Sequence, residues 1–118
     1  MTITVYGIRN CDTVKRARAW LEAAGIDYRF HDYKTDGLGR ATLLAWVRGV
    51  GWQALVNRSG TTFRKFPEAE RATLDEARAI EWMLAQPSLV RRPVIESGGA
   101  LLVGFDADEY ARRLPRGR

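Results

Sequence analysis

Apolar and polar positions along this chain change period several times, and each change predicts an element. Thr2 to Tyr6 is β-branched or aromatic, which suits a half-buried strand, and Gly7 ends the run. From there Val14, Ala17, Leu21 and Ala24 recur at helical spacing, with Lys15, Arg16, Arg18 and Glu22 on the opposite face and Gly25 placed as the C′ residue. Ile26 to Tyr33 alternates again and predicts a second strand. Strand, helix and strand within roughly thirty residues form a βαβ unit, whose two strands are parallel and whose crossover is right-handed.

Lys34 to Gly39 reads as a turn-rich loop. Leu43, Leu44, Trp46 and Val47 then predict a helix closed by Gly49 and Gly51. A short apolar turn at Trp52, Leu55 and Val56 and a polar, basic stretch from Asn57 to Lys65 come next. Thr73 and Glu76 have capping-box spacing, so a helix is expected from Leu74, with Ala77, Ile80, Met83 and Leu84 on its apolar face and Pro87 beyond its end. Val94–Glu96 and Ala100–Val103 around Ser97-Gly98-Gly99 predict a β-hairpin. Asp106 and Glu109 repeat the capping logic for a final helix through about Leu114, ended by Pro115. The order βαβ, helical segment, ββ, α gives an α/β fold: a mixed four-stranded sheet flanked by helices. Trp20, Trp46, Trp52 and Trp82 fall among or beside apolar helix positions, which suits packing and not a base-stacking platform.

Composition narrows the function classes. The 118 residues are expected to form one domain, residues 1–118, and 46% hydrophobic with 28% charged residues is ordinary for a globular protein. No apolar run approaches the ~20 residues needed to cross a bilayer, and no signal-peptide pattern follows Met1, so a cytoplasmic monomer with no membrane contact is expected. One cysteine and one histidine cannot assemble a zinc site or an intramolecular disulfide; no metal is expected. The single histidine, His31, lies opposite Ile26, Tyr28 and Phe30, as a solvated or edge residue does; the alternative is a base for the cysteine. The net charge of +5 favours acidic partners: nucleic acid, oxyanions or an anionic peptide such as glutathione. No nucleic-acid-binding motif is present, which argues against nucleic acid. Part of the excess lies at Arg112, Arg113, Arg116 and Arg118, the last two in a basic tail, residues 115–118, that reads as a solvated end.

The candidate chemistry is at Cys11. Asn10 or Cys11 falls at the N-cap of the first helix, where unpaired backbone N–H groups and the helix dipole favour an anion. Cysteine reacts as the thiolate, and such a position with cationic neighbours lowers its pKa; Arg9 and Lys15 are close in sequence. A free cysteine also serves as a small buried hydrophobe. The strand-to-helix position favours reactivity.

This arrangement resembles the thioredoxin superfamily, and more closely the arsenate-reductase-like (ArsC) family, in particular its YffB branch and the relative Spx. The likeness is carried by Tyr6 to Ala17, His31 to Leu38, Asn57 to Lys65, Gln86 to Val94 and Leu101 to Phe105. It implies a thioredoxin-like βαβ-(helical insertion)-ββα fold with the insertion at about residues 39–86. It also implies Cys11 as nucleophile, Arg92 and Arg58 as the arginines of a thiolate or oxyanion site, and a cis peptide before Pro93. With Asn10 and Lys15, the two arginines make up the expected anion-binding set. Val14 stands where C-x-x-C members have a second thiol, and Val103-Gly104-Phe105 where arsenate reductases have a third arginine. The expectation is therefore a monothiol reductase that takes glutathione as co-substrate, with no bound organic cofactor; its substrate is an oxidised thiol or an oxyanion. The rivals are arsenate reduction assisted by glutathione or glutaredoxin, and a non-catalytic, Spx-like adaptor that binds RNA polymerase.

Overall fold

β1 (Ile3–Gly7) alternates buried and half-buried residues, and every other element of the sheet is placed from it. A computed structural model describes residues 3–115. Along the chain come β1, α1 (Asp12–Ala23), β2 (Arg29–Asp32), α2 (Tyr33–Asp36), α3 (Arg40–Val50), α4 (Trp52–Leu55), α5 (Thr61–Arg64), α6 (Glu68–Ala72) and α7 (Glu76–Ala85). A 3-10 turn (Pro87–Leu89), β3 (Val94–Ser97), β4 (Ala100–Val103) and α8 (Ala107–Arg113) complete it. None of these helices is long and apolar enough to cross a membrane. Contacts divide the chain into two compact units, one running to Asp36 and resuming at Arg92, the other Gly37–Arg91.

The first unit is the expected mixed sheet, in the order β2-β1-β3-β4. β1 pairs parallel with β2, matching Val5 to Phe30 and Gly7 to Asp32, and antiparallel with β3, matching Val5 to Ile95 and Tyr6 to Val94. Val5, Ile95 and Leu102 lie in one row across the sheet and form the core with Ile3, Ala17, Leu21, Ile26, Tyr110 and Leu114. The other face carries Tyr6, whose hydroxyl donates to Glu96 Oε1 at 2.9 Å. β3 and β4 meet at a two-residue Gly98-Gly99 turn in which Gly98 has φ +59°, a conformation that favours glycine.

Two boundaries of this unit differ from expectation. The second strand begins at Arg29 and not Ile26, because Ile26 belongs to the end of α1. Its N–H bonds Leu21 O at 2.9 Å, and the Gly25 N–H bonds Glu22 O at 3.1 Å with φ +72° at Gly25, which is a Schellman closure. The strand also stops at Asp32, one residue short of Tyr33, and the expected loop starts as helix. The Asp32 carboxylate accepts the Lys34 N–H at 2.8 Å, turning the backbone into α2.

In the second unit Gly51, with φ +85°, closes α3, while Gly49 lies inside its last turn. Trp46 is buried and Trp82 stacks on Phe66 with centroids 3.8 Å apart, so these indoles pack. The basic stretch contains α5, and α6 follows it without a sequence signal that the periodicity had marked. The helix expected from Leu74 begins at Glu76. Asp75 is the cap, accepting the Arg78 N–H at 2.9 Å, whereas the Thr73 hydroxyl donates back to Ala69 O at 3.0 Å. A carboxylate two residues later displaces the hydroxyl as cap, and the buried face becomes Ala79, Ile80 and Met83, leaving Ala77 exposed. At the chain's end Asp106 caps α8 by accepting the Glu109 N–H at 3.1 Å. Arg116 and Arg118 of the basic tail lie outside the described residues.

Candidate functional site

Cys11 is the N-cap of α1, in extended conformation with φ −143° and ψ 121°, and its sulfur is half-buried. Two features of the sequence put it there. Gly7 ends β1 against Val14, and the four residues Ile8 to Cys11 follow before Asp12 opens the helix. Partial burial by itself pushes the Cys11 thiol up. That is outweighed by the Val14 N–H, by a hydrogen bond and positive charge from Arg92, and by the Thr13 N–H, so the thiol sits below its ordinary pKa. The first amides of α1 thus act directly on the sulfur at the positive end of the helix dipole.

Arg92 reaches the site from the other end of the chain. It directly precedes Pro93, the Arg92-Pro93 peptide is cis as expected, and β3 starts one residue later. Pro93 is buried, and its carbonyl accepts the Gly104 N–H at 2.8 Å, which fixes the start of the hairpin. The cations near Cys11 in sequence behave differently. Arg9 lies 3.6 Å from the Asp32 carboxylate and over the Phe30 ring, so its charge is directed to β2. Lys15 and Asn10 are exposed; the Lys15 backbone N–H bonds Cys11 O at 2.9 Å as part of the first helical turn. His31 is at the edge strand with its ring 4.8 Å from that of Tyr6. Arg58 belongs to the second unit, exposed in the turn after Val56, with its guanidinium 5.8 Å above the Trp52 ring.

One neighbour of this site was not singled out by sequence reasoning. Tyr33 is buried, and Arg92 acts on its phenol electrostatically. The alternating pattern had placed it in a strand; the Asp32-to-Lys34 turn signal was the clue. Two surface hollows of this unit, about 680 and 370 Å³, are lined by residues such as Arg18, Glu22 and Tyr28 and by Thr4, Tyr6 and Arg29. Cys11 and Arg92 line neither of these two hollows.

A mixed β2-β1-β3-β4 sheet flanked by helices, with Cys11 opening the first helix and Arg92 before a cis-proline lowering its thiol, is an α/β fold that carries a cysteine at one end of its sheet. The chain belongs to the ArsC family, which matches it over residues 6–113. It is similar to a solved structure named YffB, with 55% identity, a TM-score of 0.91 and coverage of 96% of this chain and 99% of that one. A solved arsenate reductase (ArsC) related protein from Brucella melitensis is 56% identical with a TM-score of 0.80, covering 96% of this chain and 94% of the other. The global transcriptional regulator Spx of Listeria innocua is 29% identical over 116 residues, 97% of this chain and 88% of Spx.

Proposed function

We propose that the protein is a glutathione-dependent monothiol reductase. The observation that carries this reading is the pairing of Arg92 with Cys11 at the helix N-cap in a chain whose only cysteine is Cys11. The Cys11 thiolate attacks one sulfur of a substrate disulfide. The S–S bond breaks, the other sulfur leaves with the electron pair, and Cys11 is held as a mixed disulfide. With no second thiol in the chain, glutathione thiolate must attack that bond. That attack falls on the Cys11 sulfur and releases the substrate's second sulfur as a thiolate; a second glutathione thiolate then attacks the glutathione sulfur bound to Cys11 and frees the Cys11 thiolate, so that two glutathiones are oxidised to one disulfide for each substrate disulfide reduced. Arg92 lowers the proton affinity of Cys11, both as attacking and as leaving thiol.

Intact mass after incubation with oxidised glutathione tests this. The expected product is a single glutathione adduct mapped to Cys11, removed by reduced glutathione. No adduct, or an adduct that reduced glutathione does not remove, overturns the reading.

The likeness to Spx favours a second reading, a regulator that acts by binding another protein. A Cys11→Ser variant separates the two: a retained cellular effect favours binding, and complete loss favours thiol chemistry. Arsenate reduction is a further outcome of a turnover assay, where arsenate-dependent consumption of glutathione would identify it.

A further inference from the structure

The end of the sheet that carries Cys11 holds a buried polar group that the thiol chemistry does not use. Parallel pairing sets Asp32 beside Gly7, so Tyr33 leaves β2 at the same end of β1 as the loop to Cys11. Antiparallel pairing sets Val94 beside Tyr6, so Arg92, two residues earlier, arrives at that end from the other side. Tyr33 is only 4% exposed, and among the described residues its hydroxyl has no hydrogen-bond partner. A buried hydroxyl left in that state is costly unless its dipole has other work.

We propose that Tyr33 is a positioning residue whose phenolic oxygen faces the Arg92 guanidinium and holds it toward the Cys11 sulfur. The inference rests on the reading of Cys11 as the nucleophile. Burial pushes the Tyr33 phenol well above its ordinary pKa, against the opposing effect of Arg92, so it stays neutral. A neutral oxygen suits the task. It attracts the guanidinium through a lone pair without cancelling the charge that the sulfur feels, whereas a carboxylate would compete with the thiolate for it. Arg9 illustrates the contrast: its guanidinium is drawn to the Asp32 carboxylate, 3.6 Å away. Tyr6 and Glu96 act on Tyr33 from β1 and β3, Thr13 and Val14 act on Cys11 through their amides, and Asp12 and Lys15 flank it on α1.

The test is the pH dependence of Cys11 alkylation by iodoacetamide in the full chain, for wild type, Tyr33→Phe, Arg92→Ala and the double variant, with melting temperatures alongside. Tyr33→Phe keeps the ring. Its alkylation midpoint should rise by about 0.3–1 pH unit, the size of a modest charge–dipole contribution. Its melting temperature should be unchanged or higher, because an unmatched buried hydroxyl is removed. In the Arg92→Ala background the same change should move nothing. An unmoved midpoint in Tyr33→Phe, an equal shift without Arg92, or a lowered melting temperature that marks a structural hydroxyl would each overturn the proposal. A wild-type midpoint no lower than that of a free cysteine fails differently: it removes the nucleophile reading itself.

Discussion

Arg92 and Cys11 lie in opposite halves of the sequence, and in the fold the Arg92 guanidinium lowers the Cys11 thiol. Among the described residues the Arg92 guanidinium is the side chain whose charge lowers the Cys11 thiol, and it acts together with two helix amides. Replacing Arg92 with Ala should therefore raise the alkylation midpoint of Cys11 without abolishing it, because the amides remain. Replacement with Lys, which keeps a charge but not the planar fork, should give an intermediate value. Alkylation rate against pH reads both; identical profiles for wild type and Arg92→Ala would sink the assignment.

The same shift makes stability depend on pH. A thiol whose folded pKa is depressed favours the folded state above the unfolded pKa, and that contribution is lost as pH falls through the folded value. Urea midpoints of wild type and Cys11→Ala should diverge in favour of wild type as pH rises toward about 8.5, the ordinary thiol value. Parallel curves across that range would contradict it.

The four tyrosines shift the other way. Burial raises Tyr6 to about 12, aided by its hydrogen bond to Glu96, and burial also raises Tyr28, Tyr33 and Tyr110. A phenol with a raised folded pKa stabilises the fold below the unfolded value, near about 10, and that stability is lost as pH climbs through the folded value. Phenolate absorbance of the native protein should thus lag that of the urea-unfolded chain. Superimposed titrations would refute this.

Gly7 sits where β1 meets α1. A Cβ there would come within 2.8 Å of Val14 Cγ2, so Gly7→Ala should cost about 1–3 kcal/mol by overpacking. Val14→Ala should partly relieve it, and the double variant should lose less than the sum of the two. Strict additivity in chemical denaturation would show that the close approach is not the cause.

Asp75→Ala should destabilise by about 1 kcal/mol through loss of the α7 cap, while Thr73→Ala should stay within roughly 0.5 kcal/mol. Equal losses, or the reverse order, would return the cap to Thr73.

The sequence by itself determined the local elements whose signals are short-range. Alternation in Ile3–Gly7, helical spacing at Val14, Ala17 and Leu21, the Gly-Gly hairpin and the Asp106 cap each depend on residues within a few positions, so periodicity and capping rules reach them. Where two local signals competed, the chain alone did not show the winner. Ile26 served the Schellman closure of α1 and not β2, and Asp75 displaced Thr73 as a cap, because a hydrogen bond actually made outweighs a pattern merely compatible with one. The position of Cys11 at a helix start was legible for the same local reason. Only the tertiary structure decided which cation serves it. Arg9 and Lys15 are near in sequence but directed to Asp32 or to solvent, whereas sheet pairing brings Arg92 to the sulfur and Tyr33 to the same end of β1. Coulomb interaction depends on distance in space, and strand register, not sequence separation, sets that distance.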